Sequence, residues 1–303
     1  MTDPRKPSPA CAPTSGARGV RVVALESALA PYADALRAQL PSADDIIQRA
    51  EQRQRSARVR RAGIALALGL ALGIAWWIDP VYQTQTMTTV LGESGVWTLS
   101  DGSRVHLNTD SRVDVALHLR SRRLSLASGE ATFDVAHAPW HGLLPALERR
   151  FTVQAGGTRI EDIGTTFNVR RLPGDAVEVS VQQGRVRVDN GHTESVELGR
   201  GQMLRTTPQA PGRPVPAEVD NLTAWHDGRI VFDNTPLAEV VDELRRYGPL
   251  PVTLGSDAAQ LRISGQFDLG NREQLIDLLP RFAPVRLGRS ADGTPHVERL
   301  PAP

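Results

Sequence analysis

Ala62–Ile78, AGIALALGLALGIAWWI, runs 17 residues without a charge or a proline. As a helix it reaches about 25 Å, the short end of what crosses a hydrocarbon core. Arg49, Arg53, Arg55, Arg58, Arg60 and Arg61 precede it, and no Lys or Arg follows until Arg104. Basic residues are retained on the cytoplasmic side, so residues 1–61 are expected in the cytoplasm and residues 79–303 outside it. Trp76 and Trp77 stand where aromatic residues meet the membrane surface, and Asp79-Pro80 ends the helix. A cleaved signal peptide starts nearer the N-terminus and ends in small residues, whereas this run starts after 61 residues and ends in WWIDP. A soluble core helix carries one apolar stripe, and this run is apolar all round. Arg60-Arg61 also suits the twin-arginine export route, although arginines are expected there in any case.

The span separates two compositions. Residues 1–61 hold 11 Lys/Arg and 6 Asp/Glu, and the remainder holds 24 and 28. A basic arm suits an anionic inner leaflet or an acidic protein surface. It has neither zinc spacing nor a DNA-binding module, so direct nucleic-acid binding is not expected. The single cysteine, Cys11, lies in the arm, leaving the exported body to stand on ordinary cores without disulfides. Within the arm, residues 1–20 read as disordered. Leu25, Leu29, Tyr32, Leu36 and Leu40 form a helical stripe broken by Pro31. Ser42 is a candidate cap for a second helix through Ile46 and Ile47 into the span, with Asp44 and Asp45 in its first turn. Two readings stay open: a solvated stalk, or a helical hook whose apolar faces bind a partner.

Past the span the apolar period becomes two, as in Val113, Val115 and Leu117, Phe133 and Val135, Phe167 and Val169, and Val177, Val179 and Val181. Turn signals separate the runs: Asp101-Gly102, Gly129, Gly156-Gly157, Gly184 and Asn190-Gly191. This predicts a sandwich or rolled all-β domain over residues 79–207. Arg112, Asp114, His118, Glu178, Ser180, Arg185 and Arg187 are assigned to its wet faces. Residues 137–149 interrupt the pattern as a loop or short helix. A linker at 208–222, with Pro208–Pro216 as hinge, leads to a module at 223–303. Strand Ile230–Phe232, a Thr235-capped helix bearing Leu237, Val240, Val241 and Leu244, and strand Val252–Leu254 make one βαβ unit. Strand Leu261–Phe267, an Asn271-capped helix bearing Leu275, Leu278 and Leu279, and strand Val285–Leu287 make another.

Sites for chemistry are few. His137 and His141 are four apart, but Pro139 lies between them and the H-E-x-x-H glutamate is missing, so no metal and no cofactor is expected. Neither a G-x-S-x-G elbow nor a P-loop occurs. Asp101-Gly102-Ser103 lacks the rest of a calcium loop and reads as a hairpin turn. Gly164-Thr165 is sharper. A threonine hydroxyl beside an open glycyl carbonyl can attack it when a turn holds the two together, and hydrolysis of the resulting ester cuts the chain. The plain alternative is a tight turn in which Gly164 supplies a positive φ.

The segments Leu99-Ser-Asp-Gly-Ser-Arg-Val-His-Leu-Asn108, Gly129-Glu-Ala-Thr-Phe-Asp-Val135, Arg150-Phe-Thr-Val153, Gly164-Thr-Thr-Phe-Asn-Val-Arg170 and Val179-Ser-Val-Gln-Gln-Gly-Arg-Val-Arg-Val188 together resemble the FecR family of inner-membrane signal transducers. Trp225-His-Asp-Gly-Arg-Ile-Val-Phe232, Pro236-Leu237, Arg246-Tyr247 and Ile263-Ser-Gly-Gln-Phe267 resemble its C-terminal part, which is similar to the short N-terminal domains of secretins and TonB-dependent receptors. The resemblance implies a single-pass anti-sigma factor, in some members also an activator, with a periplasmic C-terminus. The periplasmic signalling domain of a TonB-dependent siderophore or haem receptor would touch the C-terminal module, with Trp225, Phe232, Tyr247 and Phe267 as candidate contacts. The arm, through Leu36, Leu40, Ile46 and Ile47, would hold an extracytoplasmic-function sigma factor. Self-cleavage at Gly164-Thr165, then an intramembrane protease, would release the signal. The arm lacks the tryptophan-bearing helices of typical members, which makes sigma binding the least direct carry-over. The competing reading is an envelope-binding or structural protein with an inert anchor.

Overall fold

The computed structural model describes residue 35 and residues 42–137, 149–191, 194–210, 212–289 and 293–300. The chain divides into two units, residues 1–73 and 74–303. In the first, helix α1 (Ala43–Ile78) starts at a cap: Asp45 N donates to Ser42 Oγ at 3.1 Å, and Asp44 and Asp45 favour the positive helix end. Its apolar part is long and hydrophobic enough to cross a membrane, and none of that stretch is buried in protein. Leu36, Leu40 and His141 lie outside the described residues.

In the second unit, α1 ends where Asp79 turns left-handed (φ 51°) ahead of Pro80, which cannot continue the hydrogen-bond ladder. The Asp79 carboxylate accepts from Arg120 N and Ser121 Oγ, each at 2.6 Å, and the Arg120 guanidinium lies 5.0 Å from the Trp76 ring centre. The last helical turn is thereby bonded to a β-hairpin.

Two seven-stranded sheets follow. The strands are β1 (Val81–Thr88), β2 (Gly95–Thr98), β3 (Arg104–Leu107), β4 (Arg112–His118), β5 (Ser121–Ser128), β6 (Glu130–Asp134), β7 (Arg150–Ala155), β8 (Thr158–Asp162), β9 (Thr166–Arg171), β10 (Val177–Gln183), β11 (Arg185–Asp189), β12 (Val196–Gly199), β13 (Gln202–Thr206) and β14 (Val215–Pro216). One sheet runs β1-β4-β5-β7-β8-β11-β12 and the other β14-β13-β10-β9-β6-β3-β2. The chain passes from sheet to sheet at sharp corners on Gly129, Gly164, Gly184 and Gly201, with φ of 79°, 93°, 79° and 74°. A side chain at such angles is strained, so glycine sits where the coil turns. This winding makes β5 and β7 a parallel pair. Between the sheets lies one core, with Leu107, Leu126, Phe133, Phe151, Ile160, Phe167, Leu198 and Leu204 fully buried. Each such side chain contributes about 1.5–3 kcal/mol of hydrophobic stabilisation.

Three polar residues assigned to wet faces are instead buried: His118, Glu178 and Ser180. His118 Nδ1 bonds the Asp79 carbonyl at 2.7 Å. β10 runs between β13 and β9, and Glu178 is paired with Arg205 at 2.8 Å. The Pro208–Pro216 segment, expected as a hinge, ends as edge strand β14, with Pro216 opposite Gln202. An edge tolerates proline because one side of the strand needs no donor.

The C-terminal module holds β15 (Arg229–Pro236), α2 (Leu237–Arg245), β16 (Thr253–Leu254), β17 (Arg262–Asp268), α3 (Arg272–Phe282), β18 (Val285–Arg289) and β19 (Pro295–Arg299). Helix α2 buries Leu237, Val240, Val241 and Leu244, the four positions of the expected stripe. Its cap is Pro236 rather than Thr235, which stays in β15 opposite Ile263. The strands form an antiparallel pair, β15-β17, and a three-stranded sheet, β16-β19-β18, in place of two parallel βαβ units. The difference is β19, whose PHVER offers one apolar residue and no readable period.

Candidate functional site

Gly164-Thr165 is the corner joining β8 in one sheet to β9 in the other. Neighbouring coils hold it on both sides. Ile163 N donates to the Arg185 carbonyl at 3.0 Å, and Val135 N donates to the Thr165 carbonyl at 3.1 Å. The next corner, Gly184, stacks on it. A Cβ there would collide with the Gly164 carbonyl oxygen and come within 2.8 Å of Thr165 Cγ2. Thr165 is buried, and its hydroxyl donates to Asp162 Oδ1. The His137 Nε2 atom lies 3.4 Å from the other carboxylate oxygen. Burial pushes the Asp162 carboxyl above the ordinary carboxylate range, against the pull of the Thr165 hydroxyl, the Gly164 N–H and the charges of His137 and Arg122. A carboxylate that holds protons more readily than usual therefore touches the one hydroxyl adjacent to the glycyl carbonyl.

A second constellation joins the β domain to the C-terminal module. Glu130 is buried and accepts from Asn168 Nδ2 on Oε1, and from Asn108 Nδ2 and Arg246 Nη2 on Oε2, each at 2.9 Å. Asn108 also donates to Tyr247 Oη at 2.8 Å, and Thr109 Oγ1 donates to the Arg246 carbonyl at 3.0 Å. Glu243 takes Arg246 on one oxygen at 2.5 Å and Arg170 on the other at 2.6 Å. Burial raises the Glu130 pKa, but the Arg246 and Arg170 charges and the Asn168 bond outweigh it and hold the carboxyl below its ordinary value. A Cβ on Gly92 would approach the Tyr247 carbonyl to 2.9 Å, so glycine is needed where that loop meets the module.

The same junction carries a histidine. His226 Nε2 lies 2.9 Å from Thr132 Oγ1, whose own proton goes to Asn168 Oδ1 at 2.8 Å, so Nε2 is the protonated nitrogen. Burial and the neighbouring His106 ring, 4.7 Å away, lower the His226 pKa from 6.5 to about 4. Above pH 6.5 both folded and unfolded chains are neutral here. Between pH 6.5 and 4 only the unfolded chain takes up the proton, so acidification destabilises the fold. His226 is exposed to solvent, which screens the charge and leaves about 1 kcal/mol. Urea titrations at pH 7 and pH 4.5 should show His226→Gln losing less stability on acidification than the wild type by that amount.

The remaining candidates separate by burial. Ile46 and Ile47 are exposed on α1, at 54% and 55%. Trp225, Phe232 and Tyr247 are each 6% exposed, and Phe267 packs partly against the same core. Trp225, Phe232 and Tyr247 thus turn most of their surface into the module's own core, with Phe267 packed partly against it. Among the described residues no cluster of three or more His, Cys, Asp or Glu could hold a metal. Neither Asp162 nor Glu130 stands out as a functional residue in the sequence. Asp162 is the second of two acidic residues at a strand end, and only the fold of the corner brings it onto Thr165, whereas the partner that explains Glu130, Arg246, is 116 positions away.

Comparison with known proteins bears on the β domain most directly. Residues 85–187 match the FecR protein family. No curated protein matches the chain. Two crystal structures of a candidate anti-sigma factor from Parabacteroides distasonis, at 2.50 and 1.65 Å resolution, are similar in fold, each with a TM-score of 0.57. They are 21% and 22% identical, and each alignment covers 72% of this chain and 100% of the other. The matched residues 85–187 include the Gly164-Thr165 corner and Glu130, Asn108 and Asn168 of the junction, and it is this stretch of the chain that is similar to the FecR protein family.

Proposed function

We propose that this protein is a single-pass regulator of the bacterial inner membrane, an anti-sigma factor whose basic arm holds an extracytoplasmic-function sigma factor in the cytoplasm. The observation that carries this reading is a FecR domain following one membrane-length helix that has six arginines on its N-terminal side and none just beyond it. The fold likeness to a candidate anti-sigma factor supports it. The C-terminal module, similar in sequence to secretin and TonB-receptor short N-terminal domains, receives the signalling domain of a TonB-dependent receptor that reports an iron source. Strand addition suits the β15-β17 pair, in which each strand has one strand neighbour among the described residues. The test is a transcriptional reporter for the cognate sigma factor, read in cells carrying the full chain or a chain lacking residues 1–61. Loss of regulation on deletion is expected. Unchanged transcription would leave the arm an inert anchor.

The Gly164-Thr165 bond is the cleavage point of this reading. Thr165 Oγ attacks the Gly164 carbonyl carbon, the chain passes through an ester, and water completes the cut. After the cut, β8 stays bonded to β7 and β11, and β9 stays bonded to β6 and β10. The halves therefore remain one folded body. With tags at both ends, the wild type should give two fragments that copurify under native conditions. Thr165→Ala should give one full-length band, and Thr165→Ser should still cut. A full-length wild-type band would make the corner a plain turn.

A further inference from the structure

We propose that Asp162 is the general base and proton carrier for cleavage of the Gly164–Thr165 bond. The inference rests on the cleavage reading above and adds the group that makes a threonine hydroxyl reactive. An unassisted threonine hydroxyl is a weak nucleophile at neutral pH, and enzymes that use one place a base against it. Here Asp162 Oδ1 receives the Thr165 hydroxyl proton, while the His137 ring lies against Oδ2. The carboxylate is almost wholly withdrawn from water, at 2% side-chain exposure. The Gly164 N–H also bonds it, so one carboxylate grips both residues of the scissile bond. Burial, which raises the affinity of Asp162 for a proton, suits it to accept and return one. The stacked Gly184 leaves the Gly164 carbonyl free of a side chain that would block rehybridisation.

The step balances without an outside oxidant or reductant. Asp162 takes the proton from Thr165 Oγ1 as that oxygen forms a bond to the Gly164 carbonyl carbon. The carbon–nitrogen bond then breaks, and the Asp162 carboxylic acid returns the proton to the departing Thr165 nitrogen. The product is an ester between Gly164 and Thr165 Oγ1 with a free Thr165 amine. Water then adds to the ester carbonyl and the bond to Oγ1 breaks. Gly164 is left as a carboxylate and Thr165 regains its hydroxyl.

The test uses the full chain, tagged at both ends and synthesised in a cell-free system with phospholipid vesicles, with samples taken over time. Asp162→Asn keeps an oxygen for the Thr165 hydroxyl and for the Gly164 N–H but cannot accept the proton, and should slow cleavage about 100-fold or more. Thr165→Cys introduces a thiol, already a few per cent ionised at neutral pH, which needs no base. The double variant Asp162→Asn/Thr165→Cys, which lacks only the return of the proton to nitrogen, should therefore lose far less relative to Thr165→Cys than Asp162→Asn loses relative to the wild type. A structural role for Asp162 would move both nucleophiles equally, so a double variant blocked like Asp162→Asn overturns the proposal. Wild-type cleavage with Asp162→Asn equally fast overturns it while sparing the cleavage reading. A wild-type chain that stays whole overturns the cleavage reading itself.

Discussion

Arg246→Ala should cost the folded protein about 3–5 kcal/mol, the range for breaking a buried ion pair by removing one partner. Glu130 is 5% exposed and Arg246 21% in their side chains, so little water is at hand to solvate the stranded carboxylate. Truncation also removes the link to Glu243, which then faces Arg170 alone. Thermal and urea unfolding of the detergent-solubilised chain would measure the loss. The loss should exceed that of the double replacement Glu130→Leu/Arg246→Met, because the double removes the buried charge together with its partner. A cost under 1 kcal/mol for Arg246→Ala would mean that the pair is hydrated, as surface pairs are. The same pair implies acid sensitivity. The Glu130 pKa is lowered on folding, so its contribution is complete above the unfolded value of about 4.5 and is lost as pH falls through the folded one.

This junction also shows where the sequence was legible and where it was not. Strands with one wet face declared themselves. β4 buries Val113, Val115 and Leu117 and turns Arg112 and Asp114 outward or to the margin, as the alternation required. Helix α2 did the same with period 3.6. Strand β10 misled, because VEVSV alternates perfectly yet all five residues are buried. Glu178 is neutralised by an arginine of β13, a pairing between distant segments that periodicity does not carry. Glu130 is hidden in the same way. Its neighbours in Gly129-Glu-Ala-Thr-Phe are all apolar or small, and only Arg246 explains why a carboxylate stands there. The Gly164-Thr165 corner was half legible. Gly-Thr announced a turn and a nucleophile, whereas Asp162, three residues earlier, reads as an ordinary strand end until the corner folds it back onto Thr165. Motif residues that look like a list along the chain thus converge in space: Asn108, Glu130, Asn168, Arg246 and Tyr247 form a single bonded network, which Glu243 extends to Arg170.

Phe133→Ala should be the costliest core truncation, at about 3–5 kcal/mol, the usual range for deleting a buried aromatic ring. Phe133 pairs with Phe167 across β6 and β9, their ring centres 5.3 Å apart, and meets Phe151 of the opposite sheet at 6.1 Å. Phe151 and Phe167 close the triangle at 6.4 Å, nearly perpendicular at 87°. All three rings are buried to within 1%, so alanine leaves a cavity that two flanking sheets, bonded on both sides, cannot collapse to fill. Edge-to-face contacts add about 0.5–1.5 kcal/mol beyond area. Phe133→Leu keeps most of the volume and should cost about half as much. The triangle also supports the Gly164-Thr165 corner, where the cut is proposed, since Phe167 follows Thr165 by two residues and Val135, which bonds the Thr165 carbonyl, follows Phe133 by two. Loosening it should therefore slow cutting as well as lower stability. The two effects separate by temperature: at 10–15 °C, where Phe133→Leu stays folded, a fall in cutting rate shows that the corner depends on the aromatic core for its geometry. An unchanged rate in a destabilised but folded Phe133→Leu would show that the hydrogen bonds from Val135 and to Arg185 hold the corner without it.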